Sequence, residues 1–482
     1  MMTLPEPISA DRDALVSWME TACRFAVGEM LNSISATGIT KERPGFGQTI
    51  VPKAGSVLAS PVLASYDPDP DYFFHWLRDS AIVMDALRVL IADGVLPRQH
   101  LQHFAAFVDF SLALGQLDGR ALPRERIEAS TAPDDRKFLR PAEELAQLHG
   151  DRVLGDVRFN PDGTLDITRW ERPQNDGPAL RALTLLRYRP LLGAEHTALH
   201  QKLLDLLRTD LDYTCRHWRS PSVDFWEEEA NDHYATRVVQ LAALEDGTSA
   251  MQEIGAVALA QGCRTAASEL RKALTDHWSP QHGFYLSRLE MRTEHSRRKA
   301  RDIATILAVL HAERHTGPHS VLDPKVQATL VCLEDLFAAE YPINHGRNDR
   351  GPAMGRYLGD VYYSGGAYYF STLAAAEFYY RLSAAVRAGR ALAITPENRT
   401  FIARCLGGAA SGAPLAEALL ARGDQFMATV RDYTPASLEL SEQFDQTTGV
   451  QTSAKRLTWS YAALITAVAA RRRAQPDDHG QG

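Results

Sequence analysis

The sequence predicts an all-helical protein, a barrel or toroid built from about a dozen helices. Two observations carry this expectation. Long stretches repeat apolar residues at the helical period, and alternating β-branched runs are scarce. A third observation concerns the connections. Loops rich in Gly, Pro, Asp and Trp separate the helical stretches at 65–79, 159–177, 220–232, 352–366 and 435–453. In such a frame the helices are scaffold and the loops carry function.

The helical patterns run over residues 12–33, 80–92, 178–188, 248–276, 372–388, 415–429 and 457–473. Asp176-Gly177-Pro178 and Asp79-Ser80 read as helix starts, with the acidic residue as cap. Residues 117–156 are charged and contain proline, and read as a long surface connection. No shift of composition marks a second domain, so residues 1–474 are expected to form one unit and 475–482 a disordered tail.

Composition narrows the function classes. Of 482 residues, 45% are apolar, enough for a large core. The formal charge of −8 gives no basic face for a nucleic-acid partner. No stretch approaches the roughly 20 apolar residues of a membrane span. The most apolar run, Trp459 to Ala470, ends in Arg471, Arg472 and Arg473 and reads as a buried helix with a basic last turn. The N-terminal residues lack the basic and apolar regions of a signal peptide, and the five cysteines are scattered. A cytoplasmic location follows as an expectation. The 16 histidines form no metal-binding motif, so neither a metal nor another cofactor is expected.

Chemistry concentrates in two loops. Asp224-Phe225-Trp226-Glu227-Glu228-Glu229 sets three carboxyls behind an aromatic pair. In an extended loop neighbouring side chains alternate, so some of these carboxyls would face a cleft floored by Phe225 and Trp226. Crowded carboxyls against an aromatic wall have raised pKa values, as a general acid requires. Taken alone, this loop is better explained as a solvated acidic turn before a helix. The second loop, Leu440 to Asp445, carries Glu442 more than two hundred residues later. Two distant glutamates in aromatic loops fit the two-carboxylate scheme of glycoside hydrolysis. Tyr72, Phe73, Phe74 and Trp76 before Arg78-Asp79, and Trp170 before Arg172, add flat apolar faces beside donors and acceptors. Core aromatics and a buried Arg–Asp pair would explain each singly. Their recurrence in several loops favours a sugar site.

With these loops in place the chain resembles the glucoamylase family, glycoside hydrolase family 15. The matching stretches are GSVLASP from Gly55, DYFFHWLRDS from Asp71, RWERPQNDGPALRA from Arg169 and DFWEEEA from Asp224. GRYLGDVYYSGG from Gly355, TLAAAEFYYRL from Thr372, LSEQFD from Leu440 and LTWSYAALITA from Leu457 follow in the family's order. The resemblance implies an (α/α)6 barrel with the active site at one end of its inner helices. It implies an exo-acting, inverting hydrolase that releases β-glucose from the non-reducing ends of α-1,4-glucans. Glu227 would be the general acid and Glu442 the general base. Glu228 would bind a sugar hydroxyl, and Tyr72 would stand beside the base and its water. Arg78 and Asp79 would grip the terminal glucose beside Trp76. Trp170 would form an aromatic wall, and Arg356 would contact hydroxyls.

The chain also departs from the family. Fungal members carry Asn-Pro-Trp where this chain has Gly366-Ala367-Tyr368, so Tyr368 would replace a tryptophan at the leaving-sugar subsite. Phe225 replaces a common leucine, and Glu229 an apolar residue. No starch-binding module is recognisable, which points to soluble maltodextrins or glycogen-derived oligosaccharides as substrates. A trehalase or α-1,6-specific glucodextranase of the same family is the alternative enzyme. A carbohydrate-binding toroid without catalysis is the alternative outside enzymes, and the presence of both glutamates weighs against it.

Overall fold

The computed structural model describes residues 8–66, 68–406 and 413–475. The tail expected over 475–482 therefore lies, beyond Gln475, outside the described residues. Twelve principal helices organise the described chain. They are α1 (Ile8–Asn32), α2 (Leu77–Ala92), α3 (Leu101–Leu114), α4 (Gly177–Tyr188), α5 (Thr197–His217) and α6 (Tyr234–Glu253). They continue with α7 (Val257–Ala273), α8 (Ala304–Ala312), α9 (Pro324–Glu340), α10 (Tyr369–Arg387), α11 (Ala413–Tyr433) and α12 (Thr458–Ala474).

The even-numbered helices form a closed inner ring. α2 packs on α4, α4 on α6, α6 on α8, α8 on α10, α10 on α12, and α12 returns to α2. The odd-numbered helices lie outside: α1 on α12, α5 on α4 and α6, α7 on α6, and α11 on α10. This is the expected (α/α)6 barrel. The chain passes alternately outside and inside, so the inner helices all run in one direction. Every outer-to-inner connection then arrives at the same end of the ring.

Burial follows from this layout. Inner α10 and α12 are buried on nearly all faces, because each meets two ring neighbours and an outer helix, and α2 is buried almost as fully. Charges inside this double layer are paired across it. Arg181 on α4 donates through Nε and Nη2 to Asp210 on α5, at 2.9 and 2.7 Å, with both residues fully buried. Arg471 on α12 likewise holds Asp424 on α11, at 2.6 and 2.9 Å, and Tyr380 donates to the same carboxylate at 2.7 Å. Arg471 thus turns inward to a carboxylate, although the sequence places it in a basic last turn.

Several expectations need correction. The helical pattern over 248–276 is two antiparallel helices, α6 and α7, joined at Gly255, whose φ of 72° is left-handed and suits glycine. Asp79 does not cap α2. The helix begins at Leu77, which places Asp79 in its first turn. Asp176 stands at the N-cap of α4 but caps nothing, and faces Arg78 instead. The segment over 117–156 is no plain surface connection. It contains the short helices Arg124–Ser130 and Ala142–Gln147, and it buries Leu145, Leu148, Val153 and Asp156. No described helix is long and apolar enough to cross a membrane.

The Arg181–Asp210 pair gives a test of the double layer. Asp210→Ala leaves a buried guanidinium without its partner and is expected to cost about 3–5 kcal/mol. Denaturant unfolding of the variant against the parent protein measures it. A change below about 1 kcal/mol would mean the pair is not needed there.

Candidate active site

The loops that precede the inner helices meet at one end of the ring around a pocket of about 260 Å3. Its wall includes nine residues singled out in the sequence: Tyr72, Trp76, Arg78, Asp79, Trp170, Glu227, Glu228, Arg356 and Glu442. Five small pairings hold the loops in place. His75–Trp76 pairs with Arg158–Phe159, so Trp76 lies opposite Arg158. Ser222–Val223 pairs with Ala230–Asn231 and closes the triple-glutamate loop at its base. Gln443–Phe444 lies between Ala367–Tyr368 and Gln451–Thr452, which sets Glu442 at the start of a central strand. Asp302 bridges Tyr357 and so brings the loop before α8 against the loop before α10.

The triple-glutamate loop is a turn rather than an extended segment. The Asp224 carbonyl accepts the Glu227 N–H at 3.0 Å, and Asp224 Oδ1 accepts the Glu228 N–H at 2.9 Å. Glu227 itself adopts φ 65°, a left-handed conformation uncommon for a residue with a side chain. Strict alternation is therefore broken, and Glu227 and Glu228 both reach the pocket. Glu229 points away, held by Arg288 Nη1 and Ser296 Oγ, each at 2.8 Å.

Glu227 accepts three N–H donors. Trp76 Nε1 and Arg78 Nη2 reach Oε1 at 2.7 and 2.9 Å, and Trp170 Nε1 donates to Oε2. Arg78 is held in turn by Gln174 at 2.7 Å and Asp176 at 3.4 Å. Asp79 Oδ1 lies 3.3 Å from Arg78 Nε, is buried and has no hydrogen-bond donor. Burial foremost, then the neighbouring Glu227 and Asp176, push Asp79 up to about 6 against the pull of Arg78. The Arg78–Asp79 pair thus sets a guanidinium and a carboxyl side by side on the pocket wall.

Glu228 is held on three sides. Tyr357 Oη lies 2.9 and 2.6 Å from its two carboxylate oxygens, Arg356 Nη2 donates to Oε1 at 2.8 Å, and Lys299 Nζ meets Oε2. Arg356 is anchored on Asp360 through Nε at 2.7 Å and Nη2 at 2.5 Å.

Glu442 sits across the pocket with fewer partners. Ser453 Oγ donates to its Oε2, and Tyr72 Oη lies 3.5 Å from its Oε1. Tyr72 shares a 2.8 Å hydrogen bond with Tyr362. Burial pushes the Glu442 carboxyl up to about 7, with Asp79 and Asp360 adding to the rise and Ser453 and Arg356 opposing it. The sequence argument placed the raised carboxyl in the triple-glutamate loop; the pocket carboxyl shown to be pushed up this far is Glu442, where no cation is in contact.

Tyr368 requires correction. It stands behind the pocket, 1% exposed, with its ring against Trp226 and Phe370. Its hydroxyl accepts from Gln443 Nε2 at 2.6 Å and reaches Asp360 at 3.4 Å. Strand pairing with Gln443–Phe444 turns it inward, so it presents no stacking face to a leaving sugar.

Other residues of the site gave no sequence signal. Arg158 is fully buried, donates to Asp166 at 2.8 Å and stacks 3.5 Å from the Trp170 ring centroid and 4.1 Å from that of Phe74. It holds the tryptophan wall from behind. Asp302 accepts the Trp226 N–H at 2.8 Å, and Phe370 and Trp459 stack at 4.5 Å to complete the floor. Among the described residues no cluster of three or more His, Cys, Asp or Glu is suited to hold a metal.

A second cavity, of about 520 Å3, adjoins the first. It shares Trp170 and Glu227 with the pocket and is otherwise lined by Pro141, Glu144, Arg169, Glu171 and Arg172. Glu227 therefore stands at the boundary between the two spaces, while Glu442 lines the inner one alone.

A helical barrel whose one end gathers opposed carboxylates among tryptophans is the arrangement of a glycoside hydrolase. Comparison with known proteins agrees. The model of glycosyl hydrolases family 15 matches residues 46–469. The chain is 28% identical to a probable glucoamylase of Schizosaccharomyces pombe, over 94% of this chain and 90% of that one. It is 28% identical to a glucoamylase of Blastobotrys adeninivorans, over 91% and 70%. The glucoamylase structure of Hormoconis resinae superposes with a TM-score of 0.77 at 28% identity, covering 96% of this chain and 74% of the other. That of Hypocrea jecorina gives 0.79 at 25% identity, over 96% and 73%. The chain belongs to glycosyl hydrolases family 15.

Two predictions follow from this geometry. A carboxyl raised from 4.5 to about 7 on folding removes stability as pH climbs between those values, because the unfolded chain ionises first. Glu442→Gln is expected to be more stable than the parent at pH 8, by on the order of 3 kcal/mol, and no more stable at pH 4. Thermal melts at both pH values measure this, and an equal gain at pH 4 would contradict it. Tyr368→Trp adds volume to a filled site and removes the acceptor for Gln443. It is expected to lower stability by about 1–3 kcal/mol and leave short-substrate turnover no faster.

Proposed function

We propose that this hydrolase is of the glucoamylase type, removing single glucose units from the non-reducing ends of α-1,4-linked glucans with inversion. The carrying observation is the boundary position of Glu227 between a small inner pocket and a larger outer cavity. The inner pocket is below the ~300–1,000 Å3 of ordinary small-molecule sites, a scale that suits one hexose. A glucose seated there puts its glycosidic oxygen at the boundary, within reach of Glu227 as acid. The rest of the chain extends into the outer cavity.

The roles divide by environment. Glu442, inside the pocket beside Tyr72, is the base for a water on the face opposite the leaving group. Its few partners leave an oxygen free to take a proton. Arg78, Asp79, Arg356 and Glu228 bind hydroxyls, supported by the anchoring of each on a second charged or polar group. The closed inner end accounts for exo action, since a chain cannot continue beyond the terminal sugar. Arg78 and the two indole N–H groups stabilise the carboxylate left on Glu227 after proton transfer.

Three measurements test the reading. Hydrolysis of maltotriose should release β-glucose first, seen by proton NMR before mutarotation; initial α-glucose would overturn inversion. Glu227→Gln should lower kcat on maltotriose at least about a hundredfold and spare α-glucosyl fluoride, whose leaving group needs little protonation. The acid limb of kcat/KM should fall as pH drops through about 7, where Glu442 takes up its proton in the free enzyme. A limb near 4 would assign the base elsewhere. Faster glucose release from trehalose or isomaltose than from maltose would favour a different linkage.

A further inference from the structure

We propose that Lys299 is a positioning residue that ties Glu228 to Asp224 and thereby fixes the turn carrying both Glu227 and Glu228. The proposal rests on the reading of those two glutamates given above. Lys299 is fully buried, a rare state for lysine, which is stable inside a protein only when its charge is matched. Its Nζ meets Glu228 Oε2, lies 3.7 Å from Asp224 Oδ2 and sits 4.8 Å from the Tyr357 ring centroid. The same Tyr357 places its hydroxyl against both oxygens of Glu228.

Asp224 is the key to the turn, since its backbone and side-chain oxygens accept the N–H groups of Glu227 and Glu228. Its Oδ2 is buried and accepts no hydrogen bond, so its compensation is ionic, from His233, from Lys299 and from Arg288 at 3.6 Å. Arg288 is also committed to Glu229 at 2.8 Å and Asp302 at 3.4 Å, and Arg356 to Asp360. Removing the ammonium leaves Asp224, Glu228, Glu229, Asp302 and Asp360 to share two guanidinium groups.

Lys299 reaches the turn from another loop and is itself anchored. It follows the short helix Glu294–Arg298, its N–H bonds the His295 carbonyl at 3.2 Å, and its carbonyl accepts from Ser287 Oγ at 2.6 Å. The tie therefore opposes relaxation of Glu227 from its left-handed φ. A displacement of about 1 Å in an acid or a hydroxyl ligand suffices for a loss of about a hundredfold.

The test compares Lys299→Met and Lys299→Ala with the parent protein. Lys299→Met should fold and lose about a hundredfold in kcat/KM on maltotriose. The loss should be smaller on α-glucosyl fluoride, because a displaced Glu227 matters less there. Ethylammonium should restore turnover to Lys299→Ala in a saturable way, and ethanol should not. Unchanged kcat/KM in folded Lys299→Met, or equal rescue by ethanol, would overturn the proposal. If Lys299→Met does not fold, Lys299→Ala decides, and ethylammonium that restores the fold without turnover would also overturn it. A parent protein inactive on both substrates would count against the functional reading and not against the lysine. The crystal structure of Lys299→Met, or of Lys299→Ala if only that variant folds, then gives the answer. Glu228 leaving Tyr357 and Glu227 leaving its left-handed φ supports the tie; both staying in place refutes it.

Discussion

An inner helix of this ring has almost no face left for water. It touches two ring neighbours, and α4, α6, α10 and α12 an outer helix as well, so polar groups along its length must be paired or absent. α8, Ala304–Ala312, carries this to its limit with nearly every residue buried and apolar. Polar chemistry is driven to the helix ends, and the alternating path of the chain brings six such ends together. The pocket is a consequence of that constraint. Each wall is delivered by a different loop, and each loop is held by the start of the helix that follows it.

Charge in the site is organised by opposition. Guanidinium groups of Arg78, Arg288 and Arg356 and the ammonium of Lys299 are each divided among two or more carboxylates. Pairs of this kind are stable inside a protein only with close geometry and further hydrogen bonds, which the loops supply. Glu442 is the exception. With no cation of the described residues in contact, its burial is offset only in part by Ser453 and Arg356, and its high pKa is the trace of what remains. A site with this pattern separates a carboxylate rich in donors, Glu227, from one poor in them, Glu442.

Much of this was legible before any coordinates. Glu227, Glu442, Arg78, Asp79, Trp76 and Trp170 stand in loops of unusual composition, and the order of those loops carries the family pattern. What remained hidden depends on contacts distant in sequence. Glu229 looks identical to its two neighbours, and only the turn set by Asp224 directs it to Arg288. Tyr368 reads as a stacking residue until strand pairing with Gln443 buries it. Lys299 and Arg158 sit in unremarkable charged stretches, and only tertiary packing turns them into buried cations. The helical run over 248–276 misled because α6 and α7 are joined by so short a turn that their periodicities merge.

The ring closes through α12, the last of the described helices, which fills the gap between α10 and α2. Glu442 lies in the connection just before it. During synthesis the first eleven principal helices leave the ribosome as an open arc, with the sides of α2 and α10 that await α12 uncovered. Until the final segment arrives, Glu227 has its tryptophans and its arginine but no partner across the pocket. A chain cut short before residue 442 would keep Glu227, lose Glu442 and expose two apolar helix faces. Completion of the pocket and closure of the ring thus depend on one stretch of chain, the connection that carries Glu442 and the helix that follows it.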